Sequence, residues 1–291
     1  MVGIVCDSAC DLPAELYEKY HITVLPCHIT LGDKEYLDGI NIHPQDIFAY
    51  VRTHKTMPKT SAPSQLEIME VFREKLESYD ELVCISMADS ISSTRFAMIR
   101  AAEELGASDK VHVIDSGNIT TGTGITVLEA GEMAAAGATA KEIVAHCLEV
   151  IPKVHASFVV SDIMYLYRGG RCSAAKALAA ITLKFHPGIE LAGGQVRAGK
   201  KYRGTIESCV ERHVQTFYET CRDADRKRAF VTLSFPRDNE MMLAIKKELE
   251  EKKIFEEVYY QTAGSVISCH AGPDCMGIVY RDIMCQGDGS V

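Results

Sequence analysis

Short apolar runs alternate with helix-period segments through the first half of the chain, and this alternation limits the possible folds more than any other feature. Residues 2–6, 81–87 and 110–114 read as buried strands, and helical patterns follow over 13–20, 94–105 and 125–136. Ser64-Gln65-Leu66-Glu67 has the capping-box form and opens a further helix with Leu66, Met69, Phe72 and Leu76 on one face. Residues 22–31 read as one extended run before the Gly32-Asp33 turn, and 46–53 as a helix. Strands separated by helices run parallel, and a parallel sheet buries both faces. Its ligand crevice lies at the carboxyl ends of the strands. Asp7-Ser8, Ser90 to Thr94 and Asp115-Ser116 each follow a strand, so they are expected at one rim.

A helix is expected over 140–150, and Pro152 marks a boundary. Beyond it, 156–160, 188–191, 229–235 and 265–269 read as strands, and 173–181, 207–221 and 239–251 as helices. The expectation is an α/β protein with a parallel-sheet N-terminal domain (1–153), a second α+β domain (154–291), and a ligand site between them.

Bulk properties exclude several functions. A net charge of −9 over 291 residues leaves no basic stripe for nucleic acid. The short group Lys200, Lys201 and Arg203 reads as a solvated face. Eleven cysteines, an odd number without a Cys-x-x-Cys pair, point to free thiols in a reduced compartment. Cys6, Cys10, Cys27 and His28 match no zinc spacing, so no metal is expected. The sequence shows neither a signal peptide nor an apolar stretch of spanning length, so a cytoplasmic protein without membrane insertion is expected. Gly122-Thr123-Gly124 lacks the rest of a dinucleotide fingerprint and there is no Walker A motif, so no cofactor is expected.

Hydroxyl clusters carry the functional signal. Thr60-Ser61-Ala62-Pro63-Ser64, Ser90-Ile91-Ser92-Ser93-Thr94, and Thr120-Thr121-Gly122-Thr123-Gly124 stand where backbone N–H groups are free, an uncharged cradle for a carboxylate or phosphate. Each also has a plainer reading as a loop or helix cap. Asp7 and Asp115 read as acceptors that hold loops. His270, before Gly272-Pro273, is expected in a turn at a strand end. Ser92, His270 and Asp115 can be drawn as a hydrolase triad, although no G-x-S-x-G elbow occurs, and a small-molecule kinase is the other enzymatic alternative.

Asp7-Ser8-Ala9-Cys10-Asp11-Leu12-Pro13, Thr60-Ser61-Ala62-Pro63-Ser64, Asp115-Ser116, Leu166-Tyr167-Arg168-Gly169-Gly170-Arg171 and His270-Ala271-Gly272-Pro273 together resemble, in order, the motifs of the DegV family of bacterial fatty-acid-binding proteins. The second cluster departs from the family's Leu-Ser-Gly-Thr-Tyr, with Ser93 for the glycine and Arg95 for the aromatic residue. His186-Pro187 replaces Lys-Pro, and Asp274 puts a charge where it would pair with His270 and raise its pKa. The resemblance implies a two-domain carrier, not itself an enzyme, that holds one long-chain fatty acid between its domains. A fatty acid kinase partner would convert that acid to an acyl phosphate. It places the carboxylate at Thr60 and Ser92, with Ser61, Ser93 and His270 beside them, and Arg171 and Arg203 as cations for the head group or the partner. No catalytic residue is implied.

Overall fold

A computed structural model describes residues 1–172, 185–234 and 240–284. The expected helix over 173–181 lies outside the described residues.

Strands β1 (Val2–Asp7), β2 (Thr23–Leu25), β6 (Glu81–Ser86) and β7 (Val111–Asp115) form a parallel sheet in the order β2-β1-β6-β7. The strand order reverses between β1 and β6, so the crevice falls at the ends of those two strands. Helices α3 (Gln65–Lys75) and α4 (Thr94–Glu104) cover one face, where Ile68, Phe72, Met98 and Ala101 meet Val5, Leu82 and Cys84. Ser64 caps α3 as its spacing predicts: Oγ accepts from Glu67 N, and Glu67 Oε2 accepts from Ser64 N at 2.8 Å. The buried face is set by Ile68 and Phe72, however, and Leu66 is exposed.

The other face packs on α5 (Thr121–Ala135) and α6 (Ala140–Val150). Residues 121–131 of α5 are buried on every side because a second sheet lies across it. That mixed sheet runs β10-β9-β8-β13-β11-β12, formed by β8 (Val154–Val159), β9 (Phe185–Ala192), β10 (Gln195–Arg203), β11 (Ala224–Leu233), β12 (Glu257–Thr262) and β13 (Met276–Asp282). Its strands alternate as a two-faced sheet must. Phe230 and Val279 point to α5, while Val231, Ile278 and Tyr280 point to α8 (Ile206–Thr220) and α9 (Glu240–Lys252). One hydrophobic cluster therefore runs from Ile4 and Val83 through Ile125 and Leu128 to Phe230.

A small antiparallel sheet, β4-β3-β5, stands at the crevice. It comprises β3 (His28–Leu31), β4 (Lys34–Leu37) and β5 (Lys59–Ser61), with Ile29 facing Tyr36 on one side and Thr60 on the other. The extended run expected over 22–31 is thus two strands in two sheets, separated at Pro26-Cys27. Thr60 sits on a strand and not in a loop. Helices α1 (Ala14–Lys19), α2 (Pro44–His54), α7 (Ile163–Gly169) and α10 (Ser265–Ala271) complete the described elements. Residues 265–269, expected as a strand, form α10 instead, because Val266 and Cys269 bury one helical face against Ile29 and Ile47. Strands β4, β5, β10, β12 and β13 and helix α7 have no counterpart in the sequence reading.

The two sheets are also held electrostatically. Arg228 on β11, 4% exposed, meets Glu132 of α5 at 2.6 Å, and Lys227 meets the other oxygen of the same carboxylate at 2.8 Å. Glu132→Ala would leave Arg228 only the half-exposed Glu257 at 3.9 Å. The expected cost is about 3 kcal/mol, read as a lowered urea midpoint, whereas Lys227→Ala should cost under about 1 kcal/mol.

Candidate functional site

At the carboxyl ends of β1 and β7, two acids satisfy the backbone. Asp7 Oδ2 accepts from Met87 N at 2.9 Å, and Asp115 Oδ1 accepts from Asp89 N at 3.3 Å and Gly117 N at 2.8 Å. Both acids hold loops, as their positions suggest. Burial pushes Asp7 and Asp11 up to about 7 despite the hydrogen bonds that oppose it.

The loops so held enclose a cavity of about 550 Å³, within the size range of small-molecule sites. Met87, Ile91 and Ile119 line it from the ends of the parallel sheet, Phe96 from α4, and Phe158, Ile189 and Val196 from the mixed sheet. Leu166 of α7 and Val266 and Ile267 of α10 close another side. Polar lining comes from Thr60, Ser61, Asp89, Ser92, Ser93, Arg171 and His270. Six residues expected at a ligand, all but Arg203, thus line one cavity.

Arg203 lies elsewhere. Its guanidinium stands 5.9 Å from the Phe185 ring centroid, on the β9–β10 hairpin where the two residues pair, and it does not line the cavity. The third hydroxyl cluster is also not part of the cradle. Thr120 Oγ1 donates to Asp11 at 2.7 Å, Thr121 pairs with Thr232 at 2.7 Å, and Thr123 with Ser116 at 2.9 Å, all buried. Gly122 and Gly124 are there for packing: a Cβ would stand 2.0 Å from Asn118 Oδ1 and 2.9 Å from Cys10 O, respectively.

Thr60 and His270, 210 positions apart, meet through a 2.9 Å bond between Oγ1 and Nε2. Burial, reinforced by the Arg171 guanidinium, pushes His270 down to about 4, so the imidazole is neutral near pH 7. Nδ1 is buried without a partner among the described residues, against a Gly169 whose Cβ would come within 2.3 Å of it. Placing the proton on Nε2 leaves no buried N–H unpaired and makes the ring donate to Thr60. The Thr60 hydroxyl proton is then free for an anion in the cavity. Asp274 does not raise the histidine's pKa as expected; it lines a separate groove with Arg52 and Arg168.

Ser92 Oγ bonds Thr94 Oγ1 at 2.8 Å and accepts from Thr94 N at 3.2 Å, so it caps α4 while facing the cavity. Ser93 has φ −96°, which a serine adopts without strain, and the missing glycine is not required here. Arg95, the other departure, forms a 2.7 Å ion pair with Asp89 in the cavity wall. Arg171 Nη1 donates to Gly169 O at 2.7 Å and lines the cavity, and no carboxylate pairs with it among the described residues. The triad of Ser92, His270 and Asp115 is not assembled: His270 bonds Thr60, Ser92 bonds Thr94, and Asp115 bonds backbone. Sequence reasoning missed the apolar wall, since Phe158, Ile189 and Val196 look like ordinary strand residues. Phe96 lines the cavity yet is 56% exposed, and a large apolar residue beside a hydroxyl cluster was the available signal.

Comparison with known proteins agrees with this architecture. The description of the DegV family, one of uncharacterised proteins, matches residues 1–282. The chain belongs to the DegV family. A DegV domain-containing protein of Caldanaerobacter subterraneus is 31% identical, the alignment covering 97% of this chain and 99% of that one. A Thermus thermophilus DegV family structure, described as binding fatty acid, superposes with a TM-score of 0.89 at 28% identity, covering 97% of this chain and 99% of that one. The Bacillus subtilis DegV structure, described as a fatty acid binding protein, gives 0.83 at 25% identity, with 97% and 99% covered. Structures of DegV proteins hold fatty acids as ligands, and the mixed α/β fold with its parallel sheet is theirs. Among the described residues there is no group of metal-ligating side chains and no helix long and apolar enough to cross a membrane.

A neutral buried histidine has a direct test. NMR titration of the His270 ring should give a midpoint near 4, and Arg171→Ala should raise it only part of the way, because burial is the larger cause. The sign follows: with its pKa lowered in the fold, His270 costs stability as pH falls from about 6.5 toward 4.

Proposed function

We propose that this protein binds one long-chain fatty acid in the cavity between its sheets and offers the carboxylate to a fatty acid kinase, acting as a carrier and not as an enzyme. The observation that carries the reading is a largely apolar cavity whose lining includes the hydroxyls of Thr60, Ser61, Ser92 and Ser93. Thr60 and Ser92 take the carboxylate, with Ser61, Ser93 and His270 beside them. The tail supplies the affinity, at about 0.8 kcal/mol per buried methylene, and the hydroxyls orient the head. Arg171, which pairs with no carboxylate among the described residues, is placed to meet the extra negative charge when the carboxylate becomes an acyl phosphate. We extend the reading to a division of the chain at residues 153 and 154, with the acid held between the halves, and to a cytoplasmic location.

Hydrolysis of an acyl ester is disfavoured by the unassembled triad, and turnover of such an ester by the purified protein would overturn the carrier reading. Organic extraction and mass spectrometry should find a long-chain fatty acid in near-stoichiometric amount. Protein that is lipid-free and also fails to take up palmitate or oleate would refute the proposal. Thr60→Ala or Ser92→Ala removes a hydrogen bond to a carboxylate worth about 1.5–3 kcal/mol, so affinity should fall roughly ten- to a hundredfold with the fold intact. His270→Ala should leave binding nearer to wild type than it leaves acyl-phosphate formation with the kinase.

A further inference from the structure

We propose that Asp38, supported by Asp11, is a positioning residue for the carboxylate site, fixing the amino end of α10 so that His270 at its other end meets Thr60. The inference deepens the fatty-acid reading and rests on it for its effect on affinity, but its geometry stands alone.

Helix α10 lies like a bar across the small sheet. At its amino end Ser265 N donates to Asp38 Oδ1 at 2.8 Å, and Ser265 Oγ donates to Ile42 O at 3.1 Å. Gly264 N donates to Asp11 Oδ1 at 3.0 Å, and a Cβ on Gly264 would stand 2.6 Å from that oxygen, so the approach is as close as a glycine permits. Asp38 follows β4, one outer strand of the sheet, and its own N–H donates to Cys27 O at 2.9 Å. At the carboxyl end His270 Nε2 meets Thr60 on β5, the opposite outer strand. Five residues of α-helix rise about 7.5 Å, and two strand spacings amount to about 9.5 Å. The helix therefore spans the sheet with one pin at each edge.

This accounts for residues that the binding reading leaves unused. Asp11, Ser8 and Asp38 do not line the cavity. Ser8 Oγ donates to Asp38 Oδ2 at 2.9 Å and accepts from Cys27 N at 3.1 Å, while Thr120 holds the second oxygen of Asp11. The carboxylates are thus fixed from behind, and their remaining oxygens fix α10. Both act through the helix and touch no ligand. Asp7 provides the contrast: it is an equally buried carboxyl group, yet it bonds Met87 and Ala9 and not α10.

The full-length protein tests this through the NMR signals of the His270 ring and through palmitate affinity. Asp38→Ala should shift the ring signals toward those of an exposed imidazole and weaken palmitate binding about tenfold. Asp38→Asn, which keeps an oxygen for Ser265 N–H, should restore most of both. Thr60→Ala should cost less affinity in the Asp38→Ala background than in the wild type, because the pair is already separated. Asp7→Ala should lower stability and leave the His270 signals in place. If Asp38→Ala does not fold, Ser8→Ala loosens Asp38 and should move the same signals by a smaller amount. Unmoved His270 signals in the Asp38 variant, or in Ser8→Ala where that replaces it, or an equal shift in Asp7→Ala, would overturn the assignment. The ring signals need no lipid, so failure of the wild type to bind palmitate would count against the fatty-acid reading alone.

Discussion

The architecture depends on one helix being buried on every side. Helix α5 lies between the parallel sheet and the mixed sheet, and its first eleven residues reach solvent hardly at all. Such a position requires small residues and internally satisfied hydroxyls, which is what Thr121, Gly122, Thr123 and Gly124 provide. Thr121 and Thr123 spend their hydroxyls on Thr232 and Ser116, and the glycines admit Asn118 and Cys10 at distances a side chain would block. Because α5 joins the two sheets rigidly, the loops at the ends of β6 and β7 face β8 and β9 across a fixed gap. That gap is the cavity.

Hydroxyl groups in this protein divide by burial. Those of Thr120, Thr121, Thr123 and Ser8 are consumed by internal partners and serve the fold. Those of Thr60, Ser61, Ser92 and Ser93 line an apolar cavity, where a donor without a ligand would have only water to meet. The same apolar surroundings keep His270 neutral, so the polar lining consists mainly of dipoles, with one arginine and the Asp89–Arg95 pair. A globally acidic protein can bind an anion in this way, since the local donors outweigh a distant and screened net charge.

What was legible follows from what is local. The parallel sheet, the cap of α3 and the rim at Asp7, Ser90 and Asp115 come from periodicity and from residues that terminate strands, both visible within about ten positions. Strands β12 and β13 were missed because their burial is set by partners far along the chain: β13 pairs with β8 and β11, and neither pairing leaves a local mark; β10, an exposed edge strand hairpinned to β9, has too few apolar residues to show a period. Residues 265–269 carry a short apolar run that suits strand and helix alike, and the pocket between Ile29 and Ile47 decided for the helix.

The sequence by itself determined the fold class, the family, the free thiols and most of the residues on the polar wall, because residue type, spacing and motif order are properties of the chain. Only the tertiary structure decided which hydroxyl clusters line the cavity and which serve the core, that Arg203 stands outside, and that His270 is a neutral partner of Thr60 and not a cation beside Asp274. Those are matters of distance and burial between residues as many as 210 positions apart, and a pKa or a hydrogen bond exists only once such residues are brought together.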